Sequence, residues 1–246
     1  MMTKLSPLAE RLAAARSAPP GSLDSAFVPL DHAAAMAVQA EVMGALGESV
    51  GGWKVGIGGD GIPFAAPLYS SALVASPARV PLGGYVLIEM EIAFRLQRDL
   101  PPGDYARDAI LAACDQVVAG IEVLRGRYGE PPAVPFLAFL ADNGANLAYV
   151  TGGATGALPA LDLTALPCRL SIGGEVVHER IGGHPQGDPI EPIRRYLAKS
   201  NDRLGGMRAG QVVTTGSLNK PVRLDAPARV AVDIAGVGRV ALEIVR

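Results

Sequence analysis

The chain has 246 residues, 49% of them hydrophobic and 19% charged, with 22 Lys and Arg against 24 Asp and Glu and a formal net charge of −2. Near-neutral charge with no long run of either sign excludes the electrostatic footprint of a nucleic-acid or anionic-membrane partner, and 5% aromatic residues exclude stacking platforms for single strands. The length allows one large domain or two small ones, with apolar content enough for a sizeable core.

The opening stretch "MMTKLSPLAERLAAARSAPPG" carries Glu10, Arg11 and Arg16 inside its apolar residues and so lacks a secretory core. No run approaches about 18 apolar residues, and the expectation is a cytoplasmic protein. Leu5, Leu8, Ala9, Leu12 and Ala13 have helical spacing, which predicts a helix from Leu5 to Ala15 that "APPG" ends. A second helix is predicted after Asp31 as N-cap, through "HAAAMAVQAEVMGAL" to Gly47. Residues 1–50 therefore read as a helical segment and 51–246 as a β-rich core.

"GGWKVGIGGDG" reads as a short strand between glycine turns, and "PLYSSALVASPARVPLGGYV" as irregular β structure. In "IEMEIAFRLQR", residues 88–98, Ile88, Met90, Ile92, Phe94 and Leu96 share one strand face, and Glu89, Glu91, Ala93, Arg95 and Gln97 the other. Asp104 is placed to cap a helix "YARDAILAACDQVVAG" ended by Gly120, with "IEVLRGRY" the strand that leaves it. The tail predicts a hairpin about Gly173 and Gly174 and another about Gly236 and Gly238. Between them, Asp188 as N-cap and Pro189 at the first helical position predict a helix through "IEPIRRYLAKSNDRL" to Gly205. Helices and strands are mixed, without the alternation that specifies a doubly wound sheet.

Glu89 and Glu91 point the same way, about 7 Å apart along a strand. On pattern alone they are either a solvated face or half of a metal site. Glu122 shifts the balance, because a lone charge in the apolar "VVAGIEVL" is costly to bury unless it is paired or bound to a cation. Three carboxylates without a nearby His or Cys suit a hard cation, Mg²⁺ or Mn²⁺. Lys54, in "GWKVGIG", is either a partly buried lysine with its pKa lowered toward proton transfer or a strand-end lysine with its ammonium in water. Cys114 and Cys168 form no paired motif and read as small buried apolar residues. His32, His178 and His184 have no ligand-like spacing, though His184 lies in a loop, "GGHPQGDP", placed to close over a site. No nucleophile elbow or phosphate-binding glycine loop occurs in the required setting.

Taken in order, "GWKVGIG", "IEMEIAFRLQRDL", "GIEVLRGR", "FLADNGAN" and "VVTTGSL" resemble the 2-keto-4-pentenoate hydratases and related decarboxylases of the fumarylacetoacetate hydrolase superfamily. The resemblance runs from about Gly51 to the C-terminus. It implies an α+β fold, a mixed β-sandwich roll of the fumarylacetoacetate hydrolase C-terminal type, behind an N-terminal helical segment. It implies Mg²⁺ or Mn²⁺ on Glu89, Glu91 and Glu122, with Lys54 binding substrate and moving a proton. It places Asp142, Asn143, Thr215, Gly216 and Ser217 along the substrate pocket. The expected partner is a small 2-oxo acid, and the expected assembly a homo-oligomer.

Where hydratases of this family read Glu-Ile-Val-Asp-Ser-Arg, this chain reads Glu122-Val123-Leu124-Arg125-Gly126-Arg127, with arginine in place of aspartate. No acidic residue stands between Asp60 and Glu89, and Ala145 and Asn146 occupy the region of a frequent serine. These departures spare the triad and bear on the substrate and the second proton-transfer group. The expected reaction is addition of water to a small 2-hydroxydienoate. The alternatives are a decarboxylase, a C–C hydrolase or a non-enzymatic family member.

Overall fold

The computed structural model describes residues 5–24, 27–129, 134–156, 158–200 and 203–246. In chain order, the N-terminal helices are α1 (Pro7–Ala15) and α2 (His32–Ala45), and the strands that follow are β1 (Val50–Ile57), β2 (Pro63–Tyr69), β3 (Leu73–Ala75), β4 (Ala78–Pro81) and β5 (Val86–Leu96). Next come α3 (Arg107–Leu111), β6 (Cys114–Leu124), α4 (Phe136–Ala141), β7 (Asn146–Thr155), β8 (Pro167–Ile172), β9 (Glu175–Ile181) and α5 (Glu191–Leu197). The chain ends in β10 (Val212–Ser217), β11 (Val222–Leu224), β12 (Ala228–Ile234) and β13 (Gly238–Val245).

Both N-terminal helices start where a side chain satisfies a free backbone donor. Ser6 accepts from Ala9 N, and Asp31 accepts from Ala34 N at 2.7 Å. They do not stand apart from the strands: Ala9, Leu12, Ala35, Val38 and Val42 pack with Phe64 of β2 and with Ala138 and Leu140 of α4.

The strands form two sheets. The larger has the order β2-β1-β10-β5-β6-β7-β3, with β11 added to β5, and the smaller the order β4-β13-β12-β8-β9. Both predicted C-terminal hairpins are present, β8–β9 and β12–β13, and both are antiparallel. One face of the larger sheet, including Ile88, Met90, Ile92 and Phe94 at 0–1% exposure, joins Val230, Val232, Val240 and Ile244 of the smaller sheet in the main core. Each such side chain stabilises the fold by about 1.5–3 kcal/mol on burial. The larger sheet also curls, so that Leu68 of β2 meets Tyr149 of β7 although the two strands lie far apart in its order. That curl encloses the second face, and the second face carries the candidate site.

Two predicted helices are corrected. The one expected over 105–119 shrinks to α3, and from Cys114 the chain is strand, pairing with β5 from Leu96↔Cys114 to Leu87↔Leu124. Gly120 does not end a helix but lies within β6, and the β-branched Val117, Val118, Ile121 and Val123 suit a sheet buried on both faces. The helix expected from Pro189 to Gly205 covers only Glu191–Leu197. Asp188 instead accepts from Ile190 N at 3.0 Å just ahead of it, Pro192 occupies the first turn, and residues 201 and 202 lie outside the described ones. Among the described residues no helix is long and apolar enough to cross a membrane.

Candidate metal centre

Strand register assembles the site. Glu89 pairs across with Glu122, and Glu91 with Gly120. Glu122 in turn faces Tyr149 of β7, Ala93 faces Thr214 of β10, and Thr214 faces Lys54 of β1. Directly paired residues project from the same side of a sheet, so Lys54, Glu89, Glu91, Glu122, Tyr149 and Thr214 share the enclosed face. One oxygen from each of the three glutamates lies within 4.8 Å of the other two. Around Glu89 and Glu91 the polar half of the alternating strand is therefore not a solvated face; it reaches water only toward Arg95 and Gln97. Glu91 and Glu122 are 0% exposed, and the Glu89 side chain keeps 12%.

Three anions this close repel, each pair by about 3 kcal/mol at an effective dielectric near 20. Lys54 supplies partial relief: its Nζ lies 2.7 Å from Glu122 Oε2 and 4.0 Å from Glu89 Oε2. Fully ionised, the three carboxylates and one ammonium carry −2, the charge a divalent cation cancels. Further donors fix the carboxylates in place. Asn146 Nδ2 donates to Glu122 Oε1 at 2.8 Å, and the Thr214 hydroxyl donates to Glu91 Oε2. Glu91 Oε1 is buried without a hydrogen-bond partner. An orphaned carboxylate oxygen among hard donors fits a bound Mg²⁺-like ion.

Burial raises the Glu89 carboxyl to about 7, with Lys54 opposing and Glu122 adding. Burial likewise lifts Glu91 well above the usual carboxylate range, and Glu122 and Glu89 add to the effect. The reading of Lys54 as a lysine of lowered pKa is corrected. Burial alone would lower it, but Glu122, Glu89 and Glu91 together outweigh burial and hold it above its ordinary value. In this state Lys54 is a charged donor.

The segment 142–146 reaches the site mainly through its backbone and through Asn146. Gly144, with φ of 62°, presents its carbonyl 3.5 Å from Lys54 Nζ. Asp142 is turned to Arg127, accepting from its backbone N at 2.7 Å and pairing with its guanidinium at 3.3 Å. Asn143 Nδ2 donates to Pro67 O at 2.8 Å, while its Oδ1 is buried without a partner. In β10 it is Thr214 that touches a triad member. Thr215 O lies 3.0 Å from His184 Nε2, Gly216 runs beside the same ring, and Ser217 faces Glu91 across the sheet but donates to Asn219 O at 2.7 Å. His184 is thus buried against the strand next to the triad. Arg125, which stands where the family has aspartate, donates to Leu82 O at 3.2 Å. Cys114 and Cys168 are buried free thiols.

Beyond Glu89 and Glu122 on the same face come Leu87 and Leu124, which pack with Tyr85, Ala145 and Phe139. The Lys54 ammonium lies 5.6 Å from the centre of the Phe139 ring. The surroundings of the triad on this side are therefore apolar. Sequence reasoning missed Asn146, Phe139 and Tyr149 as neighbours of the triad. For Tyr149 the available signal was a glycine, Gly120, two residues before a buried glutamate.

No family model matches the chain. A 2-keto-4-pentenoate hydratase of Burkholderia vietnamiensis is 31% identical over 205 residues, 79% of this chain and 78% of that protein. The chain belongs to the 2-keto-4-pentenoate hydratase family, a family of enzymes. A family member named 4-oxalocrotonate decarboxylase, from Pseudomonas putida, is 29% identical over 188 residues, 73% of this chain and 70% of that protein. The solved structure of 4-oxalocrotonate decarboxylase from Pseudomonas putida G7, complexed with magnesium and adipate, superposes with a TM-score of 0.81 at 25% identity. It covers 97% of this chain and 96% of that one, so this family member has the mixed α/β fold of that decarboxylase.

Proposed function

We propose that this chain is a hydratase that adds water to a small 2-hydroxydienoate, by way of its 2-oxo-enoate tautomer, to give a 4-hydroxy-2-oxo acid, with Mg²⁺ or Mn²⁺ as cofactor. The observation that carries this reading is the convergence of Glu89, Glu91 and Glu122 on one point with Lys54 Nζ 2.7 Å from the triad. Glu89, Glu91 and Glu122 would hold the cation, and when bound it supplies electrophilic polarisation of the substrate's 2-oxo group. Lys54, charged and fixed by Glu122 and the Gly144 carbonyl, is placed to move the protons: C5 gains one as the 2-hydroxyl loses one, and water then delivers its hydroxyl to C4 and its proton to C3. Leu87, Leu124 and Phe139 make the surroundings apolar and fit an uncharged hydrocarbon tail better than a second carboxylate. Asn143, Thr215, Gly216 and Ser217 line the adjoining wall in this reading, and Asp142 acts through Arg127. The two packed sheets support the finer assignment of the fold as a roll of the fumarylacetoacetate hydrolase type.

The match over nearly the whole chain to a magnesium-complexed decarboxylase favours a second reading, loss of CO₂ from a related 2-oxo acid. The test is incubation with 2-hydroxypenta-2,4-dienoate and Mg²⁺ or Mn²⁺, following the dienol absorbance and identifying the product. Cation-dependent formation of the 4-hydroxy-2-oxo acid is expected. An inert dienoate together with CO₂ release from 4-oxalocrotonate would replace hydration by decarboxylation.

A further inference from the structure

Tyr149 has no part in the reading above, and its setting is unusual for a tyrosine. It is 0% exposed, it projects from the position directly opposite Glu122, and its hydroxyl is buried with no hydrogen-bond partner. An unmade hydrogen bond at a buried hydroxyl is unfavourable, and Phe at this position would avoid that cost. The space for that hydroxyl exists because residue 120 is glycine: a Cβ there would overlap the Tyr149 oxygen and ring. Gly120 is also the cross-strand partner of Glu91, so the phenol leans over the floor of the triad toward Glu91.

Two buried polar atoms on this floor lack partners, and they are complementary. One is the Tyr149 hydroxyl, a donor, and the other is Glu91 Oε1, an acceptor. Thr214 holds the other Glu91 oxygen, so the two hydroxyls flank one carboxylate. A phenol is protonated at neutral pH, as a donor must be.

We propose that Tyr149 is a positioning residue of the cation site: lodged over Gly120, with its hydroxyl poised beside the Thr214–Glu91 pair, it fixes the Glu91 side chain as a ligand. The inference rests on the cation reading of the triad. Groups that orient metal ligands are worth about 10–100-fold in metal affinity. Mg²⁺ demands near-ideal octahedral placement while Ca²⁺ tolerates irregular coordination, so a loosened Glu91 penalises Mg²⁺ more.

The experiment is calorimetric titration of Mg²⁺ and of Ca²⁺ into the wild-type chain and into Tyr149→Phe, with thermal melts of both metal-free proteins. The expected result is Mg²⁺ affinity about 10-fold weaker in Tyr149→Phe, a smaller loss for Ca²⁺, and a metal-free melting temperature equal to or above that of the wild type. At saturating Mg²⁺, turnover should recover toward the wild-type value. Wild-type Mg²⁺ affinity in Tyr149→Phe, or loss of both ions in equal measure, would overturn the proposal. So would a Tyr149→Phe chain that fails to fold, since the hydroxyl would then serve the fold and not the ligand. A wild-type chain that binds neither ion would instead bring down the cation reading and this inference with it.

Discussion

The two faces of β5 are both largely buried around the triad and chemically opposite. One carries Ile88, Met90, Ile92 and Phe94 into the core between the sheets, and the other carries Glu89 and Glu91 into the curl of the larger sheet, with Glu91 as inaccessible as Met90. Burial therefore does not separate structure from function in this strand. The apolar face lowers the free energy of folding by removing carbon from water, whereas the acidic face raises it by gathering like charges out of water. A strand that tolerates such a face is held by its other side, by pairing with both β10 and β6, and by Lys54.

Substitutions on the two faces should fail in different ways. Glu122→Ala should cost the most in function: turnover falls by about a thousandfold or more through loss of several kcal/mol of electrostatic stabilisation, while the metal-free melting temperature holds or rises. Steady-state rates with a melt on the same sample check this, and undiminished turnover would remove the triad from the mechanism. Met90→Ala, one residue from two of the triad glutamates but on the opposite face, should lose about 3 kcal/mol of stability in denaturant unfolding and keep its turnover per folded molecule.

A cation should close the energetic gap between the faces. At about 100 times its dissociation constant, Mg²⁺ should stabilise the fold by about 3 kcal/mol, seen as a higher melting temperature that a chelator reverses. In Glu122→Ala that gain should largely vanish.

A pH slope should be confined to the acidic face. The native pKa of Glu89 is raised from 4.5 to about 7, so the metal-free native state holds a proton that the unfolded chain has released. That contribution to stability is fully present below about pH 4.5 and is lost as pH rises through about 7. Metal-free melts should therefore fall over that window, with Glu91 acting in the same direction. With Mg²⁺ present the slope should reverse, because ligation requires the deprotonated carboxylates.

Much of this contrast is legible in one dimension. Period-two alternation sorts Ile88, Met90 and Ile92 from Glu89 and Glu91, and a charge amid "VVAGIEVL" marks Glu122 before any pairing is known. The caps Ser6 and Asp31 start their helices because capping is local. What the sequence hides depends on distant partners. The segment "AILAACDQVV" has helix-forming composition, and only the register with β5 makes its second half a strand. The pKa of Lys54 was misjudged because its sign depends on three carboxylates 35 to 68 residues away, whose field outweighs burial. Tyr149 was passed over because an apolar strand carrying one tyrosine looks like core until Gly120 is seen beneath it.

The exposure of Glu89 has a kinetic consequence. Glu91 and Glu122 are sealed, while the side chains of Glu89 and Lys54 keep 12% and 9% of their surface open. An ion would reach the two inner carboxylates past this rim, and a substrate seated against Lys54 and Phe139 would cover it. Addition should thus be ordered, the activating ion before the organic acid, and the departing product should leave the ion behind for the next cycle. Initial-rate patterns taken with both concentrations varied should show the ion trapped at saturating substrate.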